Sequence, residues 1–233
     1  MRVARGRLQH DDWRAFTTPR ADDATHHVGM SAAPGTAGAT AATDAATWWI
    51  GVLFAIGSAC FFVGPFPGFV ELVGSEVDAA VFFAGSVFFT SAALLQTLHS
   101  GGGLDRWACL VQLVGTLFFN VSTFHALQTG LDATEYDRLV WRPDWRGSIC
   151  FLISGVLAYL AVRNLSRRAR DWRIAVINLA GCVAFGISAV AGYVVPSTGS
   201  ALDLAAANVW TSLGALCFLV GALLLLPARR AAP

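Results

Sequence analysis

Arg163-Asn164-Leu165-Ser166-Arg167-Arg168-Ala169-Arg170-Asp171-Trp172-Arg173 sets five arginines within eleven residues, between two long apolar runs. Arginine beside an apolar run marks the cytoplasmic side of a membrane, so assigning this loop a side orders the rest of the chain. The composition supports a membrane reading. Hydrophobic residues make up 55% of the chain and charged residues 13%, and the mean hydropathy is +0.58, a poor match to a water-soluble globule. The charges fall almost entirely between apolar blocks.

Six blocks stand out: Trp48–Gly64, Ala79–Leu98, Trp107–Gln128, Ser148–Val162, Ile174–Val195 and Ala205–Leu226. A membrane-spanning helix needs roughly 20 mainly apolar residues, about 17–25 in practice. Ser148–Val162 has only 15. It is predicted to span with Trp145 and Arg163 in the headgroup layers, Arg163 by snorkelling. The expected fold class is all-α, a polytopic bundle of six transmembrane helices over residues 48–227.

All sixteen basic residues are arginine. With six spans, the amino tail, the 99–106 loop, the 163–173 loop and the carboxyl tail share one side and hold thirteen of them. The other side holds only Arg138, Arg142 and Arg146, in a 129–147 loop that also carries Asp132, Glu135, Asp137 and Asp144. Both termini are therefore predicted to be cytoplasmic, in the plasma membrane. Trp48, Trp49, Trp107 and Trp172 would mark the inner interface and Trp141 and Trp145 the outer one, the layer that amphipathic rings favour.

Residues 1–47 do not read as a signal peptide. Arg2, Arg5 and Arg7 resemble a charged start, but Gln9-His10-Asp11-Asp12 stands where an apolar core is required. Ser31–Thr47, nearly all Ala, Thr, Gly and Ser, is predicted to be a disordered linker. Met30 is a second candidate start of translation, and residues 228–233 form a short cytoplasmic tail. His26 and His27 are read as solvated. Prolines close the helices at Gly64-Pro65-Phe66-Pro67-Gly68, Pro196 and Pro227. No proline falls inside the assigned spans, which argues against the broken helices many transporters use.

Each segment contains a glycine followed four residues later by an aromatic ring: Gly57/Phe61, Gly85/Phe89, Gly115/Phe119, Gly155/Tyr159, Gly181/Phe185 and Gly214/Phe218. Residues four apart share a helix face, so each helix offers a notch beside a large ring. In lipid, small residues let backbones approach and packing replaces the hydrophobic drive. The pattern predicts a repeated helix-hairpin unit. Two of these stretches, Ile56-Gly57-Ser58-Ala59-Cys60-Phe61-Phe62 and Phe83-Ala84-Gly85-Ser86-Val87-Phe88-Phe89, together resemble the two-helix YrhK-type domain of bacterial membrane proteins over roughly residues 48–98. Leu213-Gly214-Ala215-Leu216-Cys217-Phe218-Leu219-Val220-Gly221 echoes them near the end. The whole layout is similar to uncharacterised six-helix actinobacterial membrane proteins. That resemblance implies no catalytic residues.

No Asp, Glu, Lys or Arg falls inside the assigned spans, where such a residue would point to an ion path or substrate site. Gln112, Thr116, Asn120 and Thr123 project within about 80° of arc on the third helix at about 100° per residue. A polar stripe in lipid must face protein or water. Gln96, Gln112 and Asn178 lie toward the inner boundary, and Asn120, His125 and Asn208 toward the outer one. These residues are read as interhelical hydrogen bonds, with a polar pathway as the sharper alternative. The cysteines, at 60, 109, 150, 182 and 217, occupy five of the six helices and read as apolar fillers. No Cys-x-x-Cys or His-x-x-x-His spacing supports a metal or haem, so no cofactor is expected.

These residues point to a non-enzymatic membrane protein acting through packing, lipid or partner contacts. Arg163, Arg167, Arg168, Arg170 and Arg173 are assigned to topology and to anionic lipid; nucleic acid is not expected, and the partner would be a homo-oligomer or another membrane protein. The alternative is a facilitator for a small neutral solute along the helix-three stripe. A third reading is an enzyme or cation site at the outer face, from Glu71, Glu76 and Asp78 with His125 and Asp203. Topology is testable directly. In a chain with its native cysteines replaced by alanine, Arg167→Cys is expected to react with an impermeant maleimide only after the membrane is opened. Arg142→Cys should react from outside.

Overall fold

The computed structural model describes residues 34–128 and 130–226. Contacts divide the chain between Ala37 and Gly38, and the first unit contributes to the described residues only the first turn of a helix. Six helices are long and apolar enough to cross a membrane, so the chain is a multi-pass all-α membrane protein. They are α1 (Pro34–Val63), α3 (Ser75–His99), α4 (Gly103–Ala126), α6 (Arg142–Val162), α7 (Arg170–Ala191) and α8 (Leu204–Leu225). Short α2 (Pro67–Val73) precedes α3, and α5 (Ala133–Tyr136) leads through a π-helical turn, Asp137–Trp141, into α6. Between α7 and α8 stands a β-hairpin, Val194–Val195 against Ser200–Ala201.

Three expectations are corrected here. Residues 34–47 are helical rather than a disordered linker: Pro34 begins α1, and six alanines between it and Thr47 favour helix against the threonines and glycines among them. Residues 1–33 lie outside the described residues. The fourth span is not the short Ser148–Val162. Its helix begins at Arg142, and with α5 and the π turn the continuous helical segment is Ala133–Val162, 30 residues long. The 129–147 loop is therefore largely helix, and Asp144, Arg146 and Pro143 belong to a span. Pro143 also overturns the expectation that no span contains a proline. It lacks an N–H and its ring crowds the carbonyl four residues back. The chain answers with a wider turn, in which the Arg142 N–H donates to Asp137 O, five residues away.

The helices form three hairpins. Within each, two glycines meet at the crossing and each faces the other helix's phenylalanine. A Cβ on Gly57 of α1 would stand 2.9 Å from Gly85 O of α3 and 2.7 Å from the Phe89 ring, and one on Gly85 would stand 2.8 Å from Cys60 Cβ. The same exchange joins Gly115 of α4 to Gly147 of α6, where added Cβ atoms would meet Phe151 at 2.7 Å and Phe119 at 3.1 Å. It joins Gly181 of α7 to Gly214 of α8, against Phe218 at 3.2 Å and Phe185 at 2.8 Å. In the fourth span the pair is thus Gly147/Phe151, not Gly155/Tyr159. Gly155 instead lies against Cys182 and Leu179 of α7, where the second hairpin meets the third.

Inside the bundle the residue after each of these glycines is small and buried: Ser58, Ser86, Thr116, Ser148, Cys182 and Ala215. Large aliphatics face outward. On α4, Thr116 is 0% exposed while its neighbour Leu117 is 50% exposed. That inversion suits lipid outside and close backbone packing inside. Glycine substitutions should separate packing from helix propensity. Gly186 has no atom within 4 Å of an added Cβ, so Gly186→Ala should hold or gain stability, up to about 1 kcal/mol. Gly115→Ala should lose about 1–3 kcal/mol through overpacking against Phe151. Melting in detergent checks the pair, and equal shifts would count against the interlock.

Candidate functional site

The six phenylalanines opposite the glycines converge on one layer. Phe61, Phe89, Phe119, Phe151, Phe185 and Phe218 are all buried. Their ring centroids pair at distances from 4.9 Å (Phe119–Phe151) to 6.4 Å (Phe61–Phe119), mostly edge-on. Such arrangements align ring edges with ring faces, worth about 0.5–1.5 kcal/mol per pair beyond burial. The void among Phe61, Phe89, Phe119, Phe151 and Phe185 is about 10 Å³. A water needs about 10–15 Å³ and polar partners, and the void's lining offers no polar surface. The layer is dry.

A cavity lies on each side of it. The larger, about 600 Å³, reaches from Phe61 and Phe185 to the β-hairpin residues Gly199, Ser200 and Ala201. Its walls come from the ends of α4 and α7, the start of α8, and the segment from α5 through the π turn into α6. The smaller, about 290 Å³, lies on the side of Phe151 and Phe218 and gathers Gln96, Gln112 and Asn178 with Asp105 and Asp171.

The wide turn before Pro143 aims the larger cavity's chemistry. Trp141 Nε1 donates to Ala189 O of α7 at 2.8 Å, and its ring meets Tyr193 at 4.9 Å and stacks on Trp145. Ser122 of α4 donates to Val140 O at 2.9 Å. These contacts tie the turn to both neighbours. Asp144, one turn on, lines the cavity. At about 1.5 Å per residue, Arg142–Val162 covers roughly 30 Å, the thickness of a hydrocarbon core, and Asp144 lies in its first turn. Arg142 and Arg146, two residues to either side, project elsewhere on the helix, and Arg142 pairs with Asp137 at 2.9 Å. Among the described residues Asp144 has no hydrogen-bond or ion-pair partner.

The residues singled out by sequence divide among these features. Thr116 is sealed in the core and donates to its own helix at Leu113 O. Asn120 Nδ2 donates to Thr90 of α3 at 2.9 Å, and Thr123 shares a 2.9 Å hydrogen bond with Ser86. Thr123 and Asn208 line the larger cavity, and Gln96, Gln112 and Asn178 the smaller. His125 lines neither; its Nδ1 is buried without a partner. Glu71 and Asp78 also stay outside both cavities, and Asp203 caps α8 through Ala206 N. No group of three metal-ligating side chains occurs among the described residues. Arg163, Arg167, Arg168 and Arg173 are exposed. Arg170 instead reaches the last carbonyls of α8, at Leu224 and Leu226, a favourable place for a cation.

Sequence reasoning does not reach Asp144, Trp141 and Gly147 as site residues, because the charges at 142–146 read as loop. Gly147-Ser148-Ile149-Cys150-Phe151 is a third copy of the Gly-x-x-Cys-Phe spacing at 57–61 and 214–218, and would have moved the boundary outward. No protein-family model, curated relative or solved structure matches the chain.

An unpaired carboxylate in a helix is costly and marks function more than stability. Asp144→Asn is therefore expected to melt no lower than wild type, whereas Trp141→Phe, which loses the bond to Ala189, should lose about 1 kcal/mol. A drop for Asp144→Asn as large as that for Trp141→Phe would give Asp144 a structural role.

Proposed function

We propose that the chain is a non-catalytic membrane protein that holds a ligand or partner at one end of a sealed bundle, rather than passing solutes through it. The observation that carries this is the phenylalanine layer: the two cavities meet it from opposite sides, and the gap among its rings is about 10 Å³. The larger cavity has the volume of a small-molecule site, about 300–1,000 Å³ in general, with a mainly apolar wall and few polar groups. The cysteines support a non-enzymatic reading, since Cys60, Cys150 and Cys217 fill the space beside the partner helix's glycine. We place the arginine loop in the cytoplasm by charge bias. The exposed Arg163, Arg167, Arg168 and Arg173 suit anionic headgroups there. The likeness of residues 48–98 to the YrhK-type domain then extends, by this reading, to three successive hairpins.

The second reading, a facilitator for a neutral solute, draws on Gln96, Gln112 and Asn178 converging on the smaller cavity, with Asn178 Oδ1 unpartnered. Vesicle swelling separates the two. Purified protein reconstituted into liposomes is expected to add no glycerol or urea permeability over protein-free liposomes. The double variant Phe119→Ala/Phe151→Ala should raise it if it folds. Wild-type flux that Gln112→Leu abolishes would overturn the sealed reading in favour of the facilitator.

A further inference from the structure

We propose that the larger cavity binds an amphiphilic organic cation, an ammonium group on an apolar body, with the Asp144 carboxylate as its counter-ion. The proposal deepens the sealed-bundle reading, in which the phenylalanine layer is the floor of this site.

The argument starts from hydrogen-bond inventory. Wall donors are largely committed elsewhere: Ser122 to Val140 O, Thr123 to Phe119 O, Ser188 to Ala207 O, and the Trp141 N–H to Ala189 O. A hydroxyl whose proton is spent still offers lone pairs. Tyr136 and Asn208 can accept as well as donate. The wall therefore offers more acceptors than free donors, and its occupant should bring donors of its own. Charge points the same way. Asp144 and Asp132 line the cavity and, among the described residues, no arginine does. Asp132 is exposed and spends one oxygen capping α5, accepting from Glu135 N at 2.8 Å, whereas Asp144 is half-buried with neither oxygen engaged and is the better counter-ion.

A bare divalent cation fits poorly, because it needs several oxygen or nitrogen ligands and no group of three metal-ligating side chains forms among the described residues. An ammonium needs one carboxylate, a few lone pairs and aromatic faces. Trp141 and Tyr136 line the cavity with Asp144, while Phe61, Phe82 and Phe185 supply an apolar wall for the body. A cavity of about 600 Å³ leaves room for that body. A free amine and the ammonium headgroup of a lipid share this chemistry.

Tryptophan fluorescence titration of the full chain in detergent tests the site with phenylbutylamine and its neutral counterpart phenylbutanol. The amine is expected to bind at least about tenfold more tightly, and Asp144→Asn to remove that preference by weakening the amine alone. Competition by a short-chain phosphatidylethanolamine, and none by phosphatidylglycerol, would assign the site to lipid; no competition by either would assign it to free amines. Equal affinity for amine and alcohol in the wild type, or a preference retained by Asp144→Asn, overturns the proposal. Should Asp144→Asn fail to fold, Ala201→Trp, which fills the cavity from the hairpin, is expected to abolish saturable amine binding; undiminished binding overturns the location. Solute flux through wild-type liposomes would defeat the sealed reading, whereas loss of amine preference in sealed liposomes defeats this site alone.

Discussion

The reciprocal contact of glycine with phenylalanine at each hairpin crossing is the constraint from which the rest of the bundle follows. Between helices in lipid there is no hydrophobic gain, since the tails outside are as apolar as the side chains inside. What remains is chiefly dispersion, which grows only as atoms come into close contact, with a few interhelical hydrogen bonds beside it. Removing a Cβ lets Gly57 and Gly85, Gly115 and Gly147, and Gly181 and Gly214 bring backbones together. The ring four residues on then lies over the partner's glycine. Six such rings drawn inward by three crossings have to meet, and they do.

That meeting divides the interior. The six central rings leave a gap of about 10 Å³ between the cavities, and the carboxamides of Gln96, Gln112 and Asn178 lie to one side of it and Asp144 to the other. At the end with the β-hairpin, Pro143 breaks the helical register, the π turn takes up the slack, and Trp141 and Asp144 come to face a cavity instead of lipid. At the other, carboxamides collect around Asp105 and Asp171. Hydroxyls on the cavity walls are spent on neighbouring helices: Ser188 donates to Ala207 O, and Ser154 to Ala108 O. The Asp144 carboxylate lines the larger cavity without a partner among the described residues, and Asn178 Oδ1 stands unpartnered at the smaller one.

The glycine and aromatic spacing was readable wherever the helix limits were. Five of the six pairs follow from residues four apart on one face. The fourth span is hard to delimit because Arg142, Asp144 and Arg146 look like loop, and because a proline within a continuous helical segment reads as its end. Charge on a helix end beside the headgroup layer is tolerable, and hydropathy does not distinguish that from loop. Asp144 was lost by the same step. The helix-three stripe was seen as one surface, yet Asn120 turns to Thr90 and Thr123 to Ser86, while Gln112 opens on a cavity.

From its residues alone the chain was bound to be a helical membrane bundle, because apolar runs of spanning length, with charge excluded from them, have no other stable home. Repetition of a notch and a ring also lay in the linear order, being a matter of period within each helix. Only the assembled tertiary structure decided that the rings close the centre and that Asp144 stands unpaired above them. Both depend on which faces of separate helices meet, and spacing along one helix carries no information about the rotation of another.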